Sequence, residues 1–299
     1  MPSLADLTRF DLPGAAHFRA VPGGLSVLDV GTPLATARLF VQGAHVAEWA
    51  PAGAEPVLFV SGQSHFAPGK AIRGGVPVCF PWFANRAGHP QSPAHGFVRG
   101  AEWEVEALTQ EADGTVSVIL AFGDSDATRA HWPHAFRARY RVRIGRMLEM
   151  LFEVENRDSV PFSYEAALHT YFRVSDARQV EVTGLEGAEY IDKVEAGARK
   201  RQGAEPLRFT GETDRVFVQT SAPVTLDDPG LRRRIVVEKT DSLTTVIWNP
   251  WIAKAAAMAD FGDDEWPGMA CIETANAGEN AITLAPGATH LMSALISVA

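Results

Sequence analysis

Between Phe136 and Glu155 the chain alternates in character at nearly every position, a pattern that a half-buried β-strand satisfies and a helix does not. Phe136, Ala138, Tyr140, Val142 and Ile144 fall on one face, and Arg137, Arg139, Arg141 and Arg143 on the other. After Gly145 and Arg146 the alternation resumes, with Leu148, Met150, Phe152 and Val154 set against Glu149, Leu151, Glu153 and Glu155. The second run reads as the returning arm of a hairpin, on which glutamates can face the arginines of the first. Four arginines in a row could suggest a nucleic-acid surface. Their alternation with core residues, the glutamates downstream and a net charge of -9 point instead to a solvated, cross-strand-paired sheet face.

Further strands are expected at Leu25 to Val30, Thr36 to Val41, Val57 to Val60, Trp103 to Leu108, Val116 to Phe122, Val216 to Thr220, Ile235 to Glu238, Thr244 to Trp248, Met269 to Thr274 and Leu291 to Val298. Gly, Pro and Asp punctuate most of the intervals. The main segment of helical period, Trp251 to Ala259, is short. The predicted fold is therefore all-β, an antiparallel β-sandwich with few short helices. With 46% hydrophobic residues, no composition break and no linker, residues 1-299 are expected to form a single domain.

The acidic balance argues against nucleic acid or an anionic membrane as partner. Met1 to Val21 lacks the apolar run of a signal peptide, and no stretch is long and apolar enough to span a bilayer. Cys79 and Cys271 sit in apolar, strand-like runs and read as small buried hydrophobes, which fits a cytoplasmic location. His131 and His134 have ligand-like spacing without a companion motif, so no metal is expected. Dinucleotide and phosphate-loop glycine patterns are lacking, and no organic cofactor is expected either.

Four segments stand out chemically. RGGVPVCFPWF, Arg73 to Phe83, sets an arginine before two glycines, which could let backbone approach a ligand closely. HGFVRGAEW, His95 to Trp103, offers His95 and Arg99 beside further glycines. Arg73 and Arg99 together would make a fork for an anion such as phosphate, unless each pairs with a neighbouring carboxylate. ALHTYFRV, Ala167 to Val174, places His169 in apolar company, where a structural histidine is the plainer reading. MACIETANA, Met269 to Ala277, places Glu273 in a strand of buried character, where an unpaired carboxylate is costly. A histidine and a glutamate on either side of a sugar C1 could open and reclose the ring as acid and base.

Taken with VTGLEGAEYIDK from Val182, ETDRVF from Glu212 and the long run VIWNPWIAKAAAMADFGDDEWPGMACIETANA from Val246, these segments resemble the hexose-6-phosphate mutarotase branch of the aldose 1-epimerase family, in the family's order. The resemblance implies a galactose-mutarotase-like β-sandwich that interconverts the anomers of a hexose 6-phosphate. It implies His169 as catalytic acid and Glu273 as catalytic base, Arg73 and Arg99 as substrate-binding arginines, Asp192 as a contact to sugar hydroxyls and His95 as a further hydrogen bond. The implied partner is a small sugar phosphate, and the chain is expected to act as a monomer. Ala94 departs from relatives that carry a glutamine before the His-Gly pair. Trp82, Trp248 and Trp251 could stack on a sugar but read as core, and Asp214 reads as a brace rather than a catalytic group. A mutarotase of free aldoses, a glycosidase and a non-catalytic sugar-phosphate module are the competing readings.

Overall fold

A computed structural model describes residues 3–299. Two eight-stranded antiparallel sheets dominate, joined by a four-stranded and a two-stranded sheet. The α-helices among the described residues are short: Leu4–Thr8, Asp126–His131 and Trp251–Ala256. The fold is an all-β antiparallel sandwich. No helix among the described residues is long and apolar enough to cross a membrane.

The first large sheet, called here the back sheet, runs Glu181–Thr183, Val224–Asp228, Arg233–Thr240, Thr289–Val298, Leu148–Asn156, Phe136–Ile144, Val116–Gly123 and Glu104–Gln110. The alternating hairpin lies inside it. Its even-numbered residues are buried, as the pattern requires. Arg137, Arg139 and Arg143 stand opposite Glu155, Glu153 and Glu149. Arg143 pairs both with Glu149 across the hairpin and with Glu111 on the flanking segment at 2.6 Å, whereas Arg139 reaches Glu106 at 2.9 Å more closely than Glu153 at 3.9 Å, and Arg137 also pairs with Glu106. The arginine ladder is a laced sheet surface.

The second large sheet, the cleft sheet, runs Ala198–Arg201, Glu189–Asp192, Thr213–Val218, Thr244–Asn249, Met269–Asn276, Ala166–Leu168 and Val78–Cys79, with Tyr171–Arg173 also pairing Met269–Asn276. Ile247, Ala270 and Ile272 face the main core, whereas Trp248, Met269 and Cys271 belong to a separate cluster on the other side. The outward face of this sheet is thus itself buried, under loops. Phe80 sits at the centre of the sandwich, fully buried, with the rings of Trp132, Phe136, Phe152 and Tyr164 at 5.6, 5.2, 5.7 and 5.3 Å.

Three expectations shift. Val57 to Val60 makes only isolated bridges, Leu58 to Phe172 and Val60 to Gly74, because the chain facing it turns through Gly74 and Gly75 at φ 112° and 59°. The strand expected from Val216 begins earlier, at Thr213, which matters for the site. The helix expected to Ala259 ends at Ala256. Ala16–Ala20 and Val224–Asp228 are further strands that alternate over only five residues each, and His45–Pro51 is one that is buried on both faces over its first three residues and so shows no period.

Candidate active site

Met269–Asn276 is buried at every residue, so its two faces are distinguished only by what they meet. Ala270 and Ile272 enter the sandwich core; Cys271, Glu273 and Ala275 point the other way. Glu273 is 1% exposed. Across from it, Ala166–Leu168 and Tyr171–Arg173 pair the same strand in one line, with Leu168 opposite Thr274 and Tyr171 opposite Cys271. His169 lies in the break between them, its N–H donating to the Pro77 carbonyl at 3.0 Å. Its imidazole meets the glutamate, Nε2 to Oε1 at 3.3 Å.

Packing fixes the imidazole closely. Tyr171 stacks on it at 4.8 Å and 12° between planes. Trp248, opposite Cys271, presents an edge at 5.9 Å. His95 meets it edge-on at 5.6 Å. Trp248 is therefore in the cleft wall, while Trp82 caps the Pro93 carbonyl at 2.9 Å and Trp251 packs on Trp266 at 4.2 Å.

His95 is held in an unusual backbone state, φ 62°, between Ala84 and Gly96. Its Nδ1 accepts the Ala84 N–H at 3.3 Å, which places the ring proton of the neutral form on Nε2. Gly96 follows at φ 76°, so close to the neighbouring chain that a Cβ there would lie 1.8 Å from the Phe80 carbonyl oxygen. Only glycine fits. Gly74 and Gly75 serve the same purpose after Arg73: a Cβ would meet Phe59 O at 2.4 Å and Val46 O at 2.3 Å. These glycines admit the protein's own backbone, which corrects the expectation of a ligand approach.

Both arginines reach this region. Arg73 donates from Nη1 to the Tyr171 hydroxyl at 3.0 Å and from Nη2 to both Asp260 oxygens, at 3.2 and 3.0 Å. Arg99 donates from Nη2 to the Ala94 carbonyl at 2.7 Å and forms no ion pair among the described residues. At Ala94 it is thus the backbone that is engaged. Burial, then the charges of Arg99 and Arg73, push His95 down to about 3. Burial first, with His95, Arg73 and Arg99 adding to it, holds His169 well below the usual imidazole range. Burial and then the charge of Asp214 hold Glu273 well above the usual carboxylate range. Both shifts favour the neutral forms of the pair. Oε2 of Glu273 and Nδ1 of His169 find no hydrogen-bond partner among the described residues.

The structure does not bring Asp192 to this cleft. Its Cα partner is Arg215, one residue from Asp214, so its side chain leaves the sheet on the opposite face. Its carboxylate accepts Lys200 Nζ at 3.0 Å and the N–H groups of Val194 and Glu195 at 3.1 and 3.3 Å. Asp214 instead pairs with Trp248 and shares the face of Glu273. Period two, run back from Val216, was the signal for it. Among the described residues no three His, Cys, Asp or Glu gather as a metal site, and His134 faces Asp158 at 3.2 Å.

The aldose 1-epimerase family profile matches residues 28–296. Two relatives named "Putative glucose-6-phosphate 1-epimerase", from Cenchrus ciliaris and Escherichia coli K12, are each 36% identical, over 283 and 271 residues; both alignments cover 91% of this chain, and 84% and 90% of theirs. A crystal structure of a "putative mutarotase (YeaD)" from Salmonella typhimurium superimposes with TM-score 0.90 at 33% identity, covering 97% of this chain and 95% of that one. A galactose mutarotase-like protein from Clostridium acetobutylicum, 15% identical with TM-score 0.71 over 95% and 98% of the chains, shares the fold. The chain belongs to the aldose 1-epimerase family and is an isomerase of the sugar epimerase kind.

Proposed function

We propose that the chain interconverts the α and β anomers of an aldohexose 6-phosphate, glucose 6-phosphate foremost, with His169 and Glu273 as the acid–base pair. The observation that carries this reading is the 3.3 Å approach of His169 Nε2 to Glu273 Oε1 beside two arginines in an acidic protein. The names of the relatives point to the same substrate.

In the reaction the neutral pair first passes a proton from Glu273 to His169 Nε2 across their 3.3 Å contact; the imidazolium then gives that proton to the ring oxygen while the Glu273 carboxylate takes the proton of the C1 hydroxyl. The C1–O5 bond breaks as the C1=O1 bond forms, giving the open-chain aldehyde. Rotation about C1–C2 presents the other carbonyl face, and reversal of both transfers closes the opposite anomer. Each positioned proton partner supplies on the order of 10²- to 10⁴-fold in rate.

The 6-phosphate is carried on C6, the substituent of the C5 that bonds the ring oxygen, so a phosphate held by the arginines lies on the His169 side. Each charge-assisted hydrogen bond there contributes about 1.5–3 kcal/mol. The phosphate also offsets the arginine charges that disfavour the imidazolium, so the substrate helps to charge its own acid. Arg73 is already committed to Asp260 and Tyr171, which leaves Arg99 as the guanidinium with donors to spare. Asp214, on the face of Glu273, takes the sugar-hydroxyl role that the resemblance had given to Asp192.

Saturation-transfer NMR on the purified protein tests the reading. Exchange between the anomers of glucose 6-phosphate should far exceed that of free glucose, and Glu273→Gln should abolish it while the protein stays folded. Wild-type exchange in that variant would remove Glu273 as the base; equal turnover of free glucose would move the assignment to a free-aldose mutarotase.

A further inference from the structure

A buried histidine that must present one ring nitrogen to its partner is usually oriented by a hydrogen bond on the other. His169 has no such bond: Nδ1 meets no donor or acceptor among the described residues. What holds the ring is the face of Tyr171, 4.8 Å away and nearly parallel, with the edge of Trp248 at 5.9 Å. Tyr171 is itself pinned along its whole length. Its N–H donates to Gly75 O at 2.9 Å and its carbonyl accepts Phe59 N–H at 3.0 Å. Its hydroxyl accepts Arg73 Nη1 at 3.0 Å, and Asp260, on the segment after Trp251–Ala256, fixes that guanidinium from the other side.

We propose that Tyr171, tethered through Arg73 to Asp260, is a positioning residue that sets the plane of the His169 imidazole and so keeps Nε2 in line with Glu273. The proposal deepens the acid–base reading above and rests on it. The tether explains why a phenol rather than a phenylalanine stacks on the imidazole: without the Arg73 bond the ring could slide across the imidazole face.

The test measures kcat and KM for glucose 6-phosphate by saturation transfer, together with the ¹⁵N resonances of the His169 ring. Tyr171→Phe, which keeps the ring and cuts the tether, should lower kcat about 3- to 10-fold with KM held within about twofold, as expected for a misaligned acid rather than a lost contact. Tyr171→Leu, which removes the ring, should lower kcat roughly 10²-fold. Both should shift the His169 resonances, and Asp260→Asn should shift them in the same direction. Unchanged kcat and unchanged imidazole resonances in Tyr171→Phe would overturn the proposal. Should Tyr171→Leu not fold, Tyr171→Phe and Asp260→Asn carry the test. Should the wild type exchange no hexose 6-phosphate, the substrate reading falls, and the imidazole resonances alone decide the role of Tyr171.

Discussion

Among the described residues the Arg99 guanidinium makes one hydrogen bond, to the Ala94 carbonyl, and meets no carboxylate. Its uncommitted donors sit where the charge acts on His95 and His169. Replacing Arg99 with alanine should raise KM for glucose 6-phosphate about 10- to 100-fold, the equivalent of one lost charge-assisted phosphate contact. Slow turnover of free glucose should be little affected. An unchanged KM would take Arg99 out of the phosphate site. At this scale the sequence was only partly readable. His169 and Glu273 are far apart in the chain, and nothing in their spacing joins them; the motifs around them did. Asp214 and Asp192 show the opposite limit. They lie on neighbouring strands in a register offset by one residue, and that offset sends their carboxylates to opposite faces. Period two run back from Val216 hints at Asp214, but the strand pairing is what separates the two aspartates.

Among the elements, the Phe136–Ile144 and Leu148–Asn156 hairpin was the most legible, because period two writes both its conformation and its buried face into the residues. The bend at His95 and Gly96 was not. Its necessity comes from the Phe80 carbonyl, a distant part of the chain pressed against the glycine. Alanine at Gly96 combines a positive φ of 76° with a clash against backbone, which cannot rotate away. The variant should lose at least about 1–3 kcal/mol in urea unfolding, a usual cost of strain of this kind. Movement of His95 should also weaken sugar-phosphate binding. Val57 to Val60 failed as a strand for a related reason: its neighbour turns through Gly74 and Gly75 and offers only single bridges.

For the whole molecule, the site is a burden on stability. Glu273 has its folded pKa held above the usual 4.5 by burial and by Asp214. A group raised in this way leaves stability intact below its unfolded value and removes it as pH rises through the folded value. Glu273→Gln should therefore unfold at a higher temperature than wild type at neutral and alkaline pH, and the advantage should vanish as pH falls below 4.5. Thermal unfolding across pH checks this. A wild-type advantage at alkaline pH would show that the carboxylate is stabilised in its charged form.

The order of strands in the back sheet has its own consequence. Thr289–Val298 lies between Arg233–Thr240 and Leu148–Asn156, so a strand made after both of its neighbours fills a slot in the middle. Until they arrive the sheet exists as two halves with unpaired inner edges, each able to template a wrong neighbour. A nascent chain stalled before residue 289 should thus depend on chaperones far more than one extended past residue 298, and the slot is where a competing peptide strand would do most harm.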